Sequence, residues 1–411
     1  MKKKIAIFLF FIMLMTSYIT PVMGESIDGS VDTKIDSLNV LLNDEFFDQE
    51  ISFLMKFAGF PSLTACVIKD DQVIWSKGYG YYDFSEQKPA SIETIYILAS
   101  VTKTIDGTAL MQLYEQGLFN LDDDVNIFLP FELRNPNFPD DPITFRMLLS
   151  HTSSLNTNDQ AGYYWLNFSG DPPFDFFPGY FLKEFLLPDG RYYDSSVWSS
   201  EYRPGEYAMY ANVGFDLISY LVEIISGEPF LNYCENHIFL PLDMKNTGFN
   251  LSCFDIEKVA VPYQRVLGRY FTINELWGED SPPGLYYRMR NYPAGGLYST
   301  VSDLSHFLIA HMNDGVYNDT RILEKETVDL MHELQSGNRI GYGLAWMHQY
   351  IMGFWTSGHG GDLPGVDTWM LYNQTEDIGV IYLANGNPGY SGLPLKGLFV
   401  VKLILGLLLT K

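Results

Sequence analysis

The sequence predicts an α/β (α+β) fold: a mostly antiparallel sheet, formed from N- and C-terminal segments and flanked by helices, that carries an inserted helical region. Three observations predict it. Strand patterns cluster at both ends of the chain, helical periodicity dominates the middle, and 47% hydrophobic residues over 411 positions suffice for a large core.

From Asp32 to Phe57, apolar residues at Leu38, Leu41, Leu42, Phe46, Phe47, Ile51, Leu54 and Met55 predict an amphipathic helix. Leu63 to Lys69 and Val73 to Tyr79 read as two strands around a tight polar turn at Asp70-Asp71. From about 105 to 310 helical patterns dominate, broken by Pro-, Asp- and aromatic-rich loops such as Asn135 to Pro142 and Gly170 to Gly179. Within that stretch Leu217 to Ile225 is a helix stopped by Gly227 and Pro229. Thr300 to His311 is another, with Thr300, Ser302 and Asp303 as cap candidates. Strands return at Gly341 to His348, Asp367 to Tyr372 and Ile378 to Ala384.

The ends are apolar. Lys2, Lys3 and Lys4 precede the run Ile5 to Met15, and Val22-Met23-Gly24 suits a signal peptidase, so residues 1–24 read as a signal peptide and the protein as extracytoplasmic. An uncleaved N-terminal membrane anchor is the alternative. Leu395 to Leu409 is interrupted by Lys402 and short for a span, so 395–411 reads as an apolar core-packing helix, with membrane association as its other reading. A net charge of −24 argues against a nucleic-acid partner, which would need a basic face. Cys66 reads as a buried thiol in a strand, and Cys234 with Cys253 as a candidate disulfide. No H-E-x-x-H and no Cys/His cluster of zinc spacing occurs, so neither a metal nor a cofactor is expected.

Chemistry concentrates at three places. Ser100-Val101-Thr102-Lys103 puts a hydroxyl and an amine on one face of a helix start, where the amine can take the hydroxyl proton. A chain of this length holds about one S-x-x-K by chance. Ser85-Glu86-Gln87-Lys88 is such a decoy, lying in a polar stretch before Pro89 where a turn is expected. Ser100 differs in its setting, with the apolar run Ile95 to Ala99 before it and Ala109, Leu110, Leu113 and Tyr114 after it at helical spacing. Tyr210-Ala211-Asn212 lies at the edge of the second helix; a phenol beside a lysine ammonium is expected to have a lowered pKa and so to pass protons. Gly358-His359-Gly360-Gly361-Asp362 lets a backbone approach a ligand closely, and an edge-strand N–H facing that of Ser100 would make an oxyanion hole.

In this order and at these separations, the motifs make residues 35–395 resemble the serine β-lactamase and penicillin-binding-protein superfamily, in its class C-related, esterase-like branch. Gly78-Tyr79-Gly80, Leu148-Leu149-Ser150-His151-Thr152-Ser153, Arg203-Pro204-Gly205-Glu206 and Pro293-Ala294-Gly295-Gly296-Leu297 also look familial. The resemblance implies a β-lactamase/transpeptidase-like fold with the site between an α/β region and a helical one. It implies Ser100 as nucleophile, Lys103 and Tyr210 as proton carriers, Asn212 positioning Lys103 and the substrate, and the N–H groups of Ser100 and Asp362 holding the oxyanion. Where the family's β-lactamases and transpeptidases usually carry Lys-Thr/Ser-Gly, this chain has His359-Gly360-Gly361, a weaker anchor for a substrate carboxylate. The expectation is an exported serine hydrolase acting through an acyl-enzyme on a small ester or peptide substrate. The alternatives are a β-lactamase or D-Ala-D-Ala carboxypeptidase, and a non-catalytic binder or sensor that keeps the fold.

Overall fold

Asp70 and Asp71 set the first strand pairing. Both have positive φ, 48° and 58°, the hairpin-turn geometry whose twist matches its flanking strands. They join β1 (Ser62–Lys69) to β2 (Gln72–Asp83), with Ser62 opposite Gly80 and Lys69 opposite Gln72. A third short strand, β3 (Lys88–Pro89), follows a turn in which the Asp83 carboxylate accepts from the N–H groups of Ser85 and Glu86, so Ser85-x-x-Lys88 is not helical. The computed structural model describes residues 44–156, 166–167, 178–277, 286, 288–289, 291–337, 340–351 and 354–387. Gln49–Leu405 forms one compact unit; the other, Met1–Asp48 with Gly406–Lys411, is described only at 44–48. The expected signal peptide and apolar C-terminal helix lie outside the described residues.

The tail supplies six more strands: β4 (Ser336–Gly337), β5 (Ile340–Tyr342), β6 (Met347–Ile351), β7 (Phe354–Leu363), β8 (Val366–Asn373) and β9 (Ile378–Ala384). Together they form one nine-stranded antiparallel sheet in the order β4-β5-β6-β7-β8-β9-β1-β2-β3. The two ends of the chain meet inside it, β1 against β9, with Leu63 opposite Ala384 and Lys69 opposite Ile378. Every residue of β9 is buried, as a strand covered on both faces must be.

The helices follow their caps and periodicity. α1 (Asp44–Ala58) buries Ile51, Leu54, Met55 and Ala58. α2 (Thr102–Glu115) carries the Ser/Lys motif, and α3 (Phe145–Leu149) is a single turn capped by Thr144. α4 (Asn212–Ser226) ends where Gly227 takes φ 74°, the left-handed stop that glycine supplies without strain. α5 (Val301–Met312) is opened by Thr300, whose hydroxyl accepts from the Asp303 N–H at 3.0 Å. α5 covers one face of the sheet at Gly379, where a Cβ would press on Met312 and Leu308.

Two expectations fail. Gly341 to His348 is not one strand: β5 stops at Tyr342 and β6 starts at Met347. Between them Leu344, Ala345 and Trp346 are fully buried in a bend whose N–H groups go to helical carbonyls, Leu344 to Met331 and Ala345 to Leu149, each at 2.9 Å. The apolar run is core, but its backbone partners lie off the sheet. The Cys234–Cys253 disulfide is also absent: all three cysteines are free, Cys234 buried at the end of the helix Phe230–Cys234 and Cys253 exposed on a surface turn.

Candidate active site

Ser100 stands in a one-turn 3-10 helix, Ala99–Val101, that runs into α2. Ala99 takes φ 50°, a left-handed conformation that costs a side-chain-bearing residue about 1–2 kcal/mol and persists only when its surroundings hold it. They do. The Leu98 N–H donates to Leu297 O at 2.7 Å, the Leu98 carbonyl accepts from Thr368 Oγ1 at 2.6 Å, and Thr102 Oγ1 donates to Ala99 O at 2.7 Å.

Gly361 on β7 explains the close fit. A Cβ there would lie 2.2 Å from Thr368 Oγ1, 2.3 Å from Leu98 O and 2.9 Å from the Ala99 Cβ, so only glycine lets the Ser100 turn rest on the strand. β6 pairs with β7 only as far as Gly358, opposite Met347, while β8 pairs with β7 on to Leu363. Gly360 and Gly361 thus lie within a strand rather than before one. Asp362 presents its side chain outward, where Oδ1 accepts from Asn387 Nδ2 at 2.5 Å.

Lys103 is fully buried, its Nζ 3.1 Å from Ser100 Oγ and donating to the carbonyl of Ala294. Burial pulls the amine down from 10.5 to about 7, against the opposing pull of the carboxyl groups of Asp106 and Asp216. At neutral pH much of it is therefore free amine, the form that accepts a proton. The Tyr210 ring lies 5.1 Å and the Phe215 ring 5.7 Å from Nζ. Asn212 opens α4 as expected, but Lys103 spends its second hydrogen bond on Ala294, not on Asn212.

Tyr210 corrects the sequence reading in sign. Burial raises its phenol above the ordinary value, the Ser100 hydroxyl opposing only in part and the Asp106 carboxyl adding to the rise. At neutral pH the phenol therefore keeps its proton. His359 is buried and neutral, lowered to about 3 by burial and then by Lys103. Its Nδ1–H donates to Gly360 O at 2.7 Å, so Nε2 carries a lone pair, and that buried atom has no partner among the described residues. Its ring centroid is 6.1 Å from that of Tyr210.

Sequence reasoning gave no site role to four contributors, two of which, His151 and Ala294, lie in stretches it noted as familial. His151 pins the Tyr210 loop: Nδ1 accepts from the Ala211 N–H at 3.1 Å, its carbonyl accepts from the Met209 N–H at 2.7 Å, and its ring lies 4.4 Å from that of Tyr210. Ala294 receives Lys103. Asp106, one helical turn beyond Lys103, and Asp216 on α4 are buried carboxyl groups; burial raises Asp106 well above and Asp216 to about 8, with Lys103 opposing both. An acid at i+3 on a fully buried helix face was the one available signal for Asp106.

Comparison with known proteins agrees with this geometry. The profile of the Beta-lactamase family matches residues 47–400. Protein flp of Staphylococcus aureus (strain MW2) is 25% identical over 338 residues, 80% of this chain and 60% of that protein. The chain thus spans about three fifths of the length of that relative. An Escherichia coli (strain K12) protein provisionally named D-alanyl-D-alanine carboxypeptidase is 27% identical over 347 residues, 79% of this chain and 75% of that one. The octameric penicillin-binding protein homologue from Pyrococcus abyssi superposes with a TM-score of 0.68 at 25% identity, over 89% of this chain and 78% of its own. With that match over most of its length, the chain belongs to the Beta-lactamase family.

Proposed function

We propose that this chain is an exported hydrolase that transfers the acyl group of a small ester or amide to Ser100 and then to water, with Lys103 as base and Tyr210 as acid. The observation that carries it is the fully buried Lys103 amine, held at about 7 and 3.1 Å from Ser100 Oγ.

Lys103 takes the Ser100 proton as Oγ attacks the carbonyl carbon, and the N–H groups of Ser100 and Asp362 receive the oxyanion. As the carbon–oxygen or carbon–nitrogen bond breaks, the Tyr210 phenol protonates the leaving group and recovers a proton from the Lys103 ammonium. Water then attacks the acyl ester, gives a proton to the same pair and restores the Ser100 hydroxyl. Asn212, at the start of α4, is the residue assigned to positioning the substrate. Esters and peptides fit better than β-lactams, because His359 offers a neutral ring and a buried lone pair where a carboxylate would need a cation. The E. coli relative's name keeps D-alanyl peptides among the candidates.

The test is labelling by a fluorophosphonate probe of wild type and Ser100→Ala, followed by p-nitrophenyl esters, nitrocefin and a D-Ala-D-Ala peptide in parallel. Ser100-dependent labelling with ester or peptide turnover is expected. A folded protein that takes no label is a binder, and fast nitrocefin turnover removes the role given to His359. Cell fractionation tests the export.

A further inference from the structure

We propose that the hairpin Tyr263–Thr272, with the outer face of α1, docks on the surface of an anionic lipid bilayer. The hairpin pairs Tyr263 with Thr272 and Val266 with Arg269, leaving Leu267-Gly268 as a two-residue turn with φ 48° and 83°. Such turns ordinarily hold Asn-Gly or Asp-Gly, because a branched apolar side chain gains nothing from a left-handed backbone. Here Leu267 is 101% exposed and packs on nothing, beside Val266 at 39%. Backbone and core both argue against leucine, so its place at the tip calls for a partner outside the chain.

The surroundings specify that partner. Arg265 and Arg269 flank the tip and are exposed. Arg265 Nη1 donates to Lys56 O at 2.9 Å, which holds the hairpin against the end of α1, where Phe53 and Phe57 are exposed and stacked at 6.5 Å. Among the described residues Lys56, Arg265 and Arg269 form no ion pair, although the whole chain has 50 acidic residues against 26 basic ones. An apolar tip within a ring of unpaired cations fits lipid headgroups and the upper acyl chains, with the cations meeting phosphate.

The chain's course agrees. Gly386 bridges to Tyr263, and Gln264 Nε2 donates to Asn387 O at 3.3 Å, so the last described residues leave the sheet at the base of this hairpin. The sequence beyond them includes the apolar stretch Leu395 to Leu409. No helix of the described residues is long and apolar enough to cross a membrane, and a surface contact needs none.

The experiment uses the full chain carrying Cys253→Ser, so that the exposed native thiol is gone, with an NBD fluorophore on Leu267→Cys or, as a control, on Ile127→Cys, itself 70% exposed. Vesicles of phosphatidylcholine with or without phosphatidylglycerol are added. A severalfold rise in emission at position 267, quenched by brominated lipid, absent at 127 and weakened at least tenfold in apparent affinity by Arg265→Gln with Arg269→Gln, is the expected result. Vesicle binding that leaves the 267 probe unchanged means another segment makes the contact and overturns the proposal. A 267 response that follows protein concentration without vesicles means a second copy covers the tip, and overturns it equally. Leu267→Asn, which suits the turn, should lower binding to phosphatidylglycerol vesicles while keeping the thermal transition.

Discussion

Lys103→Met should abolish hydrolysis yet make the protein more stable in acid. Burial takes the amine from 10.5 to about 7, a displacement of roughly 3.5 units, which at about 1.36 kcal/mol per unit is on the order of 5 kcal/mol. The folded value lies below the unfolded one, so between about 7 and 10.5 the unfolded chain holds more protons and stability rises with pH. At pH 6 both states are protonated and the whole cost of about 5 kcal/mol stands; at pH 9 the folded amine is neutral and about 2 kcal/mol remains. Methionine carries none of this, and its similar volume limits the packing loss to about 1.5 kcal/mol. The variant should therefore gain several kcal/mol over wild type at pH 6 and about 3 kcal/mol less than that at pH 9. Asp106 and Asp216 sharpen the contrast, because without the amine their ionisation above neutrality loses the group that opposes their burial. Urea denaturation of both proteins at pH 6 and pH 9 measures it. A variant less stable than wild type at pH 6, or a gain that does not shrink by pH 9, would refute a desolvated lysine.

The acid limb of kcat/KM for an ester should titrate near pH 7, falling about tenfold per unit below it as Lys103 gains a proton; a limb confined below pH 5 would point to another base. Asp216→Asn removes a carboxyl that raises the Lys103 value, so the same limb should move to lower pH, read from pH profiles of the two proteins. Gly361→Ala drives a Cβ into Leu98 O and Thr368 Oγ1 and should cost about 1–3 kcal/mol in urea titrations, with slower probe labelling of Ser100. His151→Phe keeps a ring against Tyr210 but strands the Ala211 N–H, for about 1–3 kcal/mol of stability and a lower kcat, and unchanged kinetics would show that the loop holds Tyr210 without it.

The Ser100–Lys103 contact was legible because helical spacing alone fixes which side chains share a face, and the β1–β2 hairpin because two aspartates accept the backbone such a turn demands. The join of β1 to β9 followed from strand patterns at both ends. What was not legible depends on the filling of space. The run Gly341 to His348 has a strand's composition, and only the closeness of Leu149 and Met331 turns its middle into a bend. Gly361 could be read as permissive, but the clash that requires glycine there comes from Leu98, more than 250 residues away.

The sign of the Tyr210 shift belongs with these, and it follows from the same buried volume. A lysine lowers a neighbouring phenol only while it is charged, and the walls that remove water from Tyr210 also remove it from Lys103. With the amine largely neutral, desolvation dominates the phenol, the Ser100 hydroxyl opposing it and Asp106 adding to it, so both shifts come from one buried volume. Asp106 and Asp216 set how far this goes. In so buried a cluster the favoured states are those of zero net charge: free amine with two protonated carboxyl groups, or ammonium with one carboxylate. A proton arriving at Lys103 from Ser100 meets two carboxyl groups that both favour the ammonium and so raise its pKa against burial. Two acids that look like misplaced surface residues on a buried helix face thereby keep a buried lysine able to take up a proton.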